Sequence, residues 1–261
     1  MKTALLISTY NWKEALSLIF KSIEEQTQLP DEILIADDGS REDTKIIIDK
    51  FRQIVPTPII HVWHEDIGFR RSMILNKTIA QANADYIIQI DGDCIMHKDF
   101  IKDHISNASP NTYLYGSRVN IKSQYIEKVI KTEHIKFNFA SKEIKNKTRA
   151  LHISALSKLY KPHTEVSSKI RGCNLSFWKN DFITINGYSE DFEGWGMEDS
   201  EMIQRMHNNG ILAKRLRYSG IVFHMYHKSA SKDNASHNNT LLLMTRKSKV
   251  VTCEKGINQY L

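Results

Sequence analysis

The chain has 261 residues, 41% of them hydrophobic and 25% charged, with 36 Lys and Arg against 30 Asp and Glu for a net charge of +6. That is the make-up of an ordinary soluble globular protein, with enough chain to bury the core of one large domain or two closely joined ones. No apolar run approaches the roughly 20 residues that span a bilayer, and three scattered cysteines without C-x-x-C spacing (Cys94, Cys173, Cys253) exclude a disulfide framework and fit reduced thiols.

Residues 3–8 form an apolar run that predicts a first strand and is too short for a signal peptide, so a cytoplasmic location is expected. Thr9-Tyr10-Asn11-Trp12 follows; Trp12, Ala15, Leu16, Ile19, Phe20 and Ile23 then recur at helical spacing, with Asn11 as the expected N-cap. Leu29-Pro30 ends that helix, and residues 32–36 predict a second strand that runs into Asp37-Asp38-Gly39-Ser40. A helix over 42–51, a strand over 59–63, the loop Gly68-Phe69-Arg70-Arg71 and a helix over 72–82 come next. Residues 86–90 are a short run of β-formers, read as a buried parallel strand, and Asp91-Gly92-Asp93 stands at its exit.

Alternating strands and helices predict an α/β fold with a mainly parallel sheet flanked by helices. In such sheets ligands bind beyond the carboxyl ends of the strands, which is where all three polar clusters of the first half fall. Asp91 and Asp93 offer hard oxygen ligands to Mg²⁺ or Mn²⁺, and Gly92 lets the backbone approach a ligand; a lone D-G-D is also an ordinary acidic turn. Neither a G-x-G-x-x-G after the first strand nor a P-loop is present, so a dinucleotide site has little support.

A short helix over 98–105 and a strand over 113–119 are predicted next. Residues 118–161 carry eleven Lys and Arg against three Glu, a local excess of +8. This basic stretch is helical in composition, most clearly over 125–135; it suits an anionic partner such as membrane lipid or a lipid-linked phosphate, or is simply a solvated face. Farther on, Gly194-Trp195-Gly196 can set an indole against a sugar face, Glu198, Asp199 and Glu201 open a helix, and residues 221–227 predict a strand ending in His224 and His227, either a potential metal ligand.

Taken together, S-T-Y-N-W, A-D-D-G-S, G-F-R and D-G-D over residues 3–110, with G-C-N-L-S-F and G-W-G-M-E-D-S-E over 170–227, resemble the family 2 glycosyltransferases of GT-A fold with a galactosyltransferase-type C-terminal segment. The resemblance implies that Thr9, Tyr10, Asp37 and Asp38 hold the nucleotide, most often a uracil one, with Arg70 or Arg71 nearby and Asn76 a weaker candidate. Asp91 and Gly92 would face the donor, Asp93 would ligate Mn²⁺ or Mg²⁺, and His224 would complete the metal site with His227 as a second candidate. Asp199 matches the catalytic base, while Trp195, Glu198 and Asn174 would meet the acceptor.

The expected enzyme is therefore an inverting, metal-assisted transferase that moves a sugar from a nucleotide-diphosphate donor to a hydroxyl of a glycan or lipid-linked acceptor in surface polysaccharide synthesis. No nucleic-acid partner is expected, and peripheral association with an anionic membrane is. The expected organisation is a donor-binding segment 1–117, a basic, mainly helical insertion 118–165 and an acceptor-binding, catalytic segment 166–261, all in one continuous domain. A sugar-phosphate nucleotidyltransferase would want a Gly-rich, basic loop where this chain has Thr9-Tyr10-Asn11-Trp12. A non-catalytic glycan- or lipid-binding module on the same fold is the rival from another class.

Overall fold

The structure, a computed structural model, describes residues 1–167, 170–228 and 231–261. The first half alternates as the sequence predicts: β1 (Thr3–Thr9), α1 (Lys13–Glu24), β2 (Glu32–Asp37), α2 (Glu42–Arg52), β3 (Ile59–Trp63), α3 (Arg71–Ala80) and β4 (Tyr86–Asp91). Then follow β5 (Cys94–Met96), α4 (Phe100–Asn107), β6 (Thr112–Gly116), β7 (Arg118–Asn120), α5 (Ile126–Lys131) and α6 (Ser154–Ser157). The last part holds β8 (Asn174–Trp178), α7 (Lys179–Thr184), α8 (Glu198–Asn208), β9 (Leu212–Leu216), β10 (Val222–His224) and α9 (Ala235–Ser248).

Among the described residues, seven strands form one sheet in the order β3-β2-β1-β4-β8-β6-β9, and β5-β10-β7 form a small second one. β1 pairs in parallel with β2 and β4, whereas β8 is antiparallel to both of its neighbours, β4 and β6. The central strands are apolar throughout because both of their faces are covered. Along β1, Leu5 and Ile7 enter one core cluster with α1 and α2, while Ala4 and Leu6 enter a second one with α3, α7 and α8. Each such side chain, fully buried, contributes roughly 1.5–3 kcal/mol of hydrophobic stabilisation.

Several expectations are corrected. Asn11 does not cap α1: it takes a left-handed φ of 47° and its side-chain oxygen accepts from the Arg41 N–H, leaving Trp12 at the cap. The strand expected over 113–119 is two strands in different sheets, broken at Ser117. The basic stretch is not mainly helical. α5 ends at Lys131, and the chain then folds back so that Ile121 bridges Ile144, with Val129, Ile135, Phe137 and Ile144 buried in the first core cluster. Those scattered apolar residues, out of helical phase, anchor the stretch to the body of the fold.

Candidate active site

Parallel pairing of β1, β2 and β4 brings their carboxyl ends to one rim. Ser8 lies opposite Asp91 in register; its hydroxyl donates to Asp91 Oδ1 at 2.9 Å, and the Gly92 N–H donates to the Ser8 carbonyl at 2.7 Å. A Cβ at position 92 would lie 3.0 Å from that carbonyl oxygen, so the close approach explains the glycine.

Arg71, the first residue of α3, joins the two halves of the site. Its Nη2 donates to Asp91 Oδ1 at 2.8 Å, and its Nη1 to Asp199 Oδ1 at 2.9 Å and Glu198 Oε1 at 3.3 Å. Asp91 and Asp199, from the two halves of the chain, thus share one guanidinium. Asp199 also accepts from the Gly172 N–H at 2.9 Å and the Tyr188 hydroxyl at 3.1 Å, and Tyr188 is in turn bonded to Gln89 of β4. Three acids crowd one cation here. Burial first, and the Asp199 charge second, push the Glu198 carboxyl up to about 7.

That shift has a sign. Between about pH 4.5 and 7 the folded chain holds a proton on Glu198 that the unfolded chain has lost, so this group's contribution to stability declines as pH rises through the window. Glu198→Gln is therefore expected to raise the urea midpoint at about pH 8 and to leave it unchanged near pH 4.5. An equal shift at both would show that ionisation of Glu198 is not what the fold resists.

The turn after β4 and the end of β10 assemble a cation-type cluster. Asp93 Oδ2 lies 3.4 Å from His224 Nε2 and 3.1 Å from His227 Nε2. Edges of roughly 3 Å are what ligands at right angles around an ion about 2.1 Å from each would show. His227 Nδ1 donates to the Lys228 carbonyl at 2.8 Å, so Nε2 is the nitrogen that faces Asp93, carrying a proton that a metal would displace. Burial opposes ionisation of Asp93, but the His227 bond and the charges of the two imidazoles hold it below its ordinary value. The cluster fits a divalent cation, with both histidines available to it.

Other expected residues are placed less openly. Thr9 and Tyr10 stay at the rim; Tyr10 is about half exposed and its hydroxyl donates to Asp66 at 2.8 Å. Asp37, expected at the nucleotide base, is 1% exposed, with its oxygens on the Ser40 N–H and His61. Asp38 is similarly tied to His64 and the Arg70 N–H. Arg70 pairs with Glu193, and a cleft of about 170 Å³ lined by Arg70, Met73, Phe192 and Glu193 opens beside it. Trp195 is exposed, with its loop held from α9 by Asn238, which donates to the Glu193 and Gly196 carbonyls.

Two candidates are buried. Asn174, expected to meet the acceptor, is the first residue of β8, is 1% exposed and donates to the Gly220 carbonyl at 2.7 Å. Asn76, fully buried, is bonded to both the N–H and the carbonyl of Tyr188 and so positions that tyrosine rather than a nucleotide. Sequence reasoning missed Tyr188 and Gly172. The signal for the latter is a glycine just ahead of a strand: a Cβ there would lie 2.2 Å from Asp199 Oδ1. Gly172→Ala is expected to displace that carboxylate and lower turnover by about 10²-fold with little change in the unfolding midpoint; unaltered turnover would show that the acid's placement is not critical.

A Rossmann-like sheet whose rim gathers an Asp-x-Asp pair, an Asp/His cluster and an acid-opened helix defines a GT-A type sugar transferase. Comparison with known proteins narrows this. The family model described as "Glycosyl transferase family 2" matches residues 4–161, and one described as "N-terminal domain of galactosyltransferase" matches 151–228. The chain belongs to the family 2 glycosyltransferases. It is 24% identical over 228 residues to the chondroitin synthase of Escherichia coli, a match covering 79% of this chain and 32% of that enzyme. The S. aureus protein TarS 1-349, in complex with UDP, superposes with a TM-score of 0.61 at 14% identity over 95% of this chain and 68% of that one. The mannosyltransferase PcManGT from Pyrobaculum calidifontis, in complex with GDP-Man and Mn2+, gives 0.60 at 13% over 95% and 72%. The chain spans about a third of the length of the chondroitin synthase. It is a family 2 glycosyltransferase with the GT-A fold.

Proposed function

We propose that this enzyme transfers a sugar, with inversion, from a nucleotide-diphosphate donor, a UDP-linked one by preference, to a hydroxyl of a glycan or lipid-linked acceptor. The observation that carries the reading is the Arg71 guanidinium, which gathers Asp91 from the donor rim and Asp199 from the acceptor side around one point. Thr9 and Tyr10 flank the nucleotide, and Trp195 covers the sugars. Asp199 accepts the proton of the acceptor hydroxyl as its oxygen bonds to the anomeric carbon, while the bond from that carbon to the diphosphate breaks on the opposite face. Asp93, His224 and His227 would hold a divalent cation, which would supply positive charge to the departing diphosphate. Glu198, beside the base and protonated near neutrality, is placed to hold an acceptor oxygen.

A panel of nucleotide sugars incubated with the protein and Mn²⁺, with release of nucleoside diphosphate as the readout, tests this. One donor is expected to be hydrolysed slowly, and faster with an acceptor. Silence across the panel with no metal-dependent nucleotide binding would favour the non-catalytic module. The basic stretch, with Phe139 and Leu159 exposed within it, supports peripheral docking on anionic lipid as the route to a membrane acceptor. Vesicle sedimentation that rises with anionic lipid and falls with salt is the expected behaviour; indifference to both would remove the membrane from the proposal.

A further inference from the structure

We propose that His97, Asp99 and His152 form a second metal site, for a divalent ion of the zinc type, separate from the Asp93 cluster. One ligand atom from each of the three lies within 4.8 Å of the others. β5 runs from Cys94 to Met96, so Asp93 stands just before it and His97 just after it, putting the two clusters at opposite ends of a strand about 10 Å long. The site therefore shares no residue with the active site.

His152 and Asp99 are each already oriented by a bond at the other end, and His97 by its backbone. His152 Nε2 lies 2.9 and 3.2 Å from the two oxygens of Asp103, the carboxylate-imidazole arrangement that supports a metal-bound histidine, and Nδ1 remains as its lone-pair nitrogen. Asp103 is itself fixed by the Gly220 N–H at 2.8 Å. The Thr27 hydroxyl donates to Asp99 Oδ1 at 2.8 Å, leaving Oδ2 uncommitted, 3.8 Å from His97 Nδ1. That nitrogen accepts the Asp99 N–H at 3.2 Å, so it carries the lone pair and not the proton. The backbone of His97 is pinned on both sides, its N–H on the Ile221 carbonyl at 3.0 Å and its carbonyl on Gln26 at 2.9 Å. The two imidazoles lie nearly parallel, 4.4 Å between ring centres and 19° between planes.

Two imidazole nitrogens and one carboxylate oxygen suit Zn²⁺, Co²⁺ or Ni²⁺ better than Mg²⁺ or Ca²⁺. The three side chains are each about one fifth exposed, which leaves room for a water as the remaining ligand. In a tetrahedral site the donors would stand roughly 3.3 Å apart, against 3.8 Å here between Asp99 Oδ2 and His97 Nδ1. The bound ion would clip the end of the basic stretch, where His152 sits, to the strand that leads out of the active site.

The test uses the full chain, stripped with chelator, in an Asp93→Ala background that removes the first site. Calorimetric titration with Zn²⁺ is expected to show one ion per chain, and Co²⁺ to give the visible absorption of a tetrahedral nitrogen-oxygen site. Adding His97→Ala or His152→Gln should abolish both. Asp99→Asn, which keeps size and the Thr27 bond, should weaken Zn²⁺ binding by about 10- to 100-fold even if a histidine variant fails to fold. No Zn²⁺ uptake by the Asp93→Ala protein, or uptake indifferent to Asp99→Asn, overturns the proposal and leaves the cluster as a protein-internal ion pair.

Discussion

Asp199→Asn is expected to lower kcat by about 10²- to 10⁴-fold while leaving nucleotide affinity close to that of the parent chain. The asparagine is isosteric and its one carbonyl oxygen can still accept from the Tyr188 hydroxyl, while the Gly172 N–H on the other oxygen loses its acceptor; the size of the side chain is kept and the proton acceptor is lost. Diphosphate release and equilibrium binding of the nucleotide, measured side by side, separate the outcomes: equal loss of both would make Asp199 structural. A larger fall in kcat for Glu198→Gln than for Asp199→Asn would exchange their roles.

Arg205→Met is expected to cost about 3–5 kcal/mol of stability, read as a fall in the urea midpoint at unchanged slope. Arg205 has no exposed surface and is held bidentate by Glu201, with both bonds at 2.8 Å. It also donates to the carbonyls of Ile185 and Gly187, and Glu201 accepts the Thr245 hydroxyl of α9 at 3.1 Å. Methionine restores most of the volume, so the loss measures an uncompensated buried carboxylate and two unpaired carbonyls. Because the 185–187 turn delivers Tyr188 to Asp199, activity should fall with stability. A loss under about 1 kcal/mol would mean that Glu201 finds a proton or water instead.

The β-α-β succession of the first half was legible because strands covered on both faces are written as unbroken apolar runs, as at 3–8 and 86–90. The acids at their ends were legible for the same reason: a parallel sheet puts every such end on one rim. Which arginine serves the site was not, since Arg70 and Arg71 are neighbours and the start of α3 decides which one points inward. Asn174 looked like a ligand-facing polar residue because its composition does not reveal that β8 slots between β4 and β6. The basic stretch misled for a related reason: its lysines favour helix locally, and long-range burial of Phe137 and Ile144 overrides them.

The position of β8 also governs how such enzymes can be recombined. Both long edges of that strand are taken, one by β4 and one by β6. A fragment ending before residue 170 would keep every residue of the nucleotide rim yet present two raw, sticky borders to its neighbours in solution, an invitation to self-association. Donor and acceptor specificities in this scaffold are thus sewn through a common seam, and a hybrid that trades one for the other must carry this strand across intact.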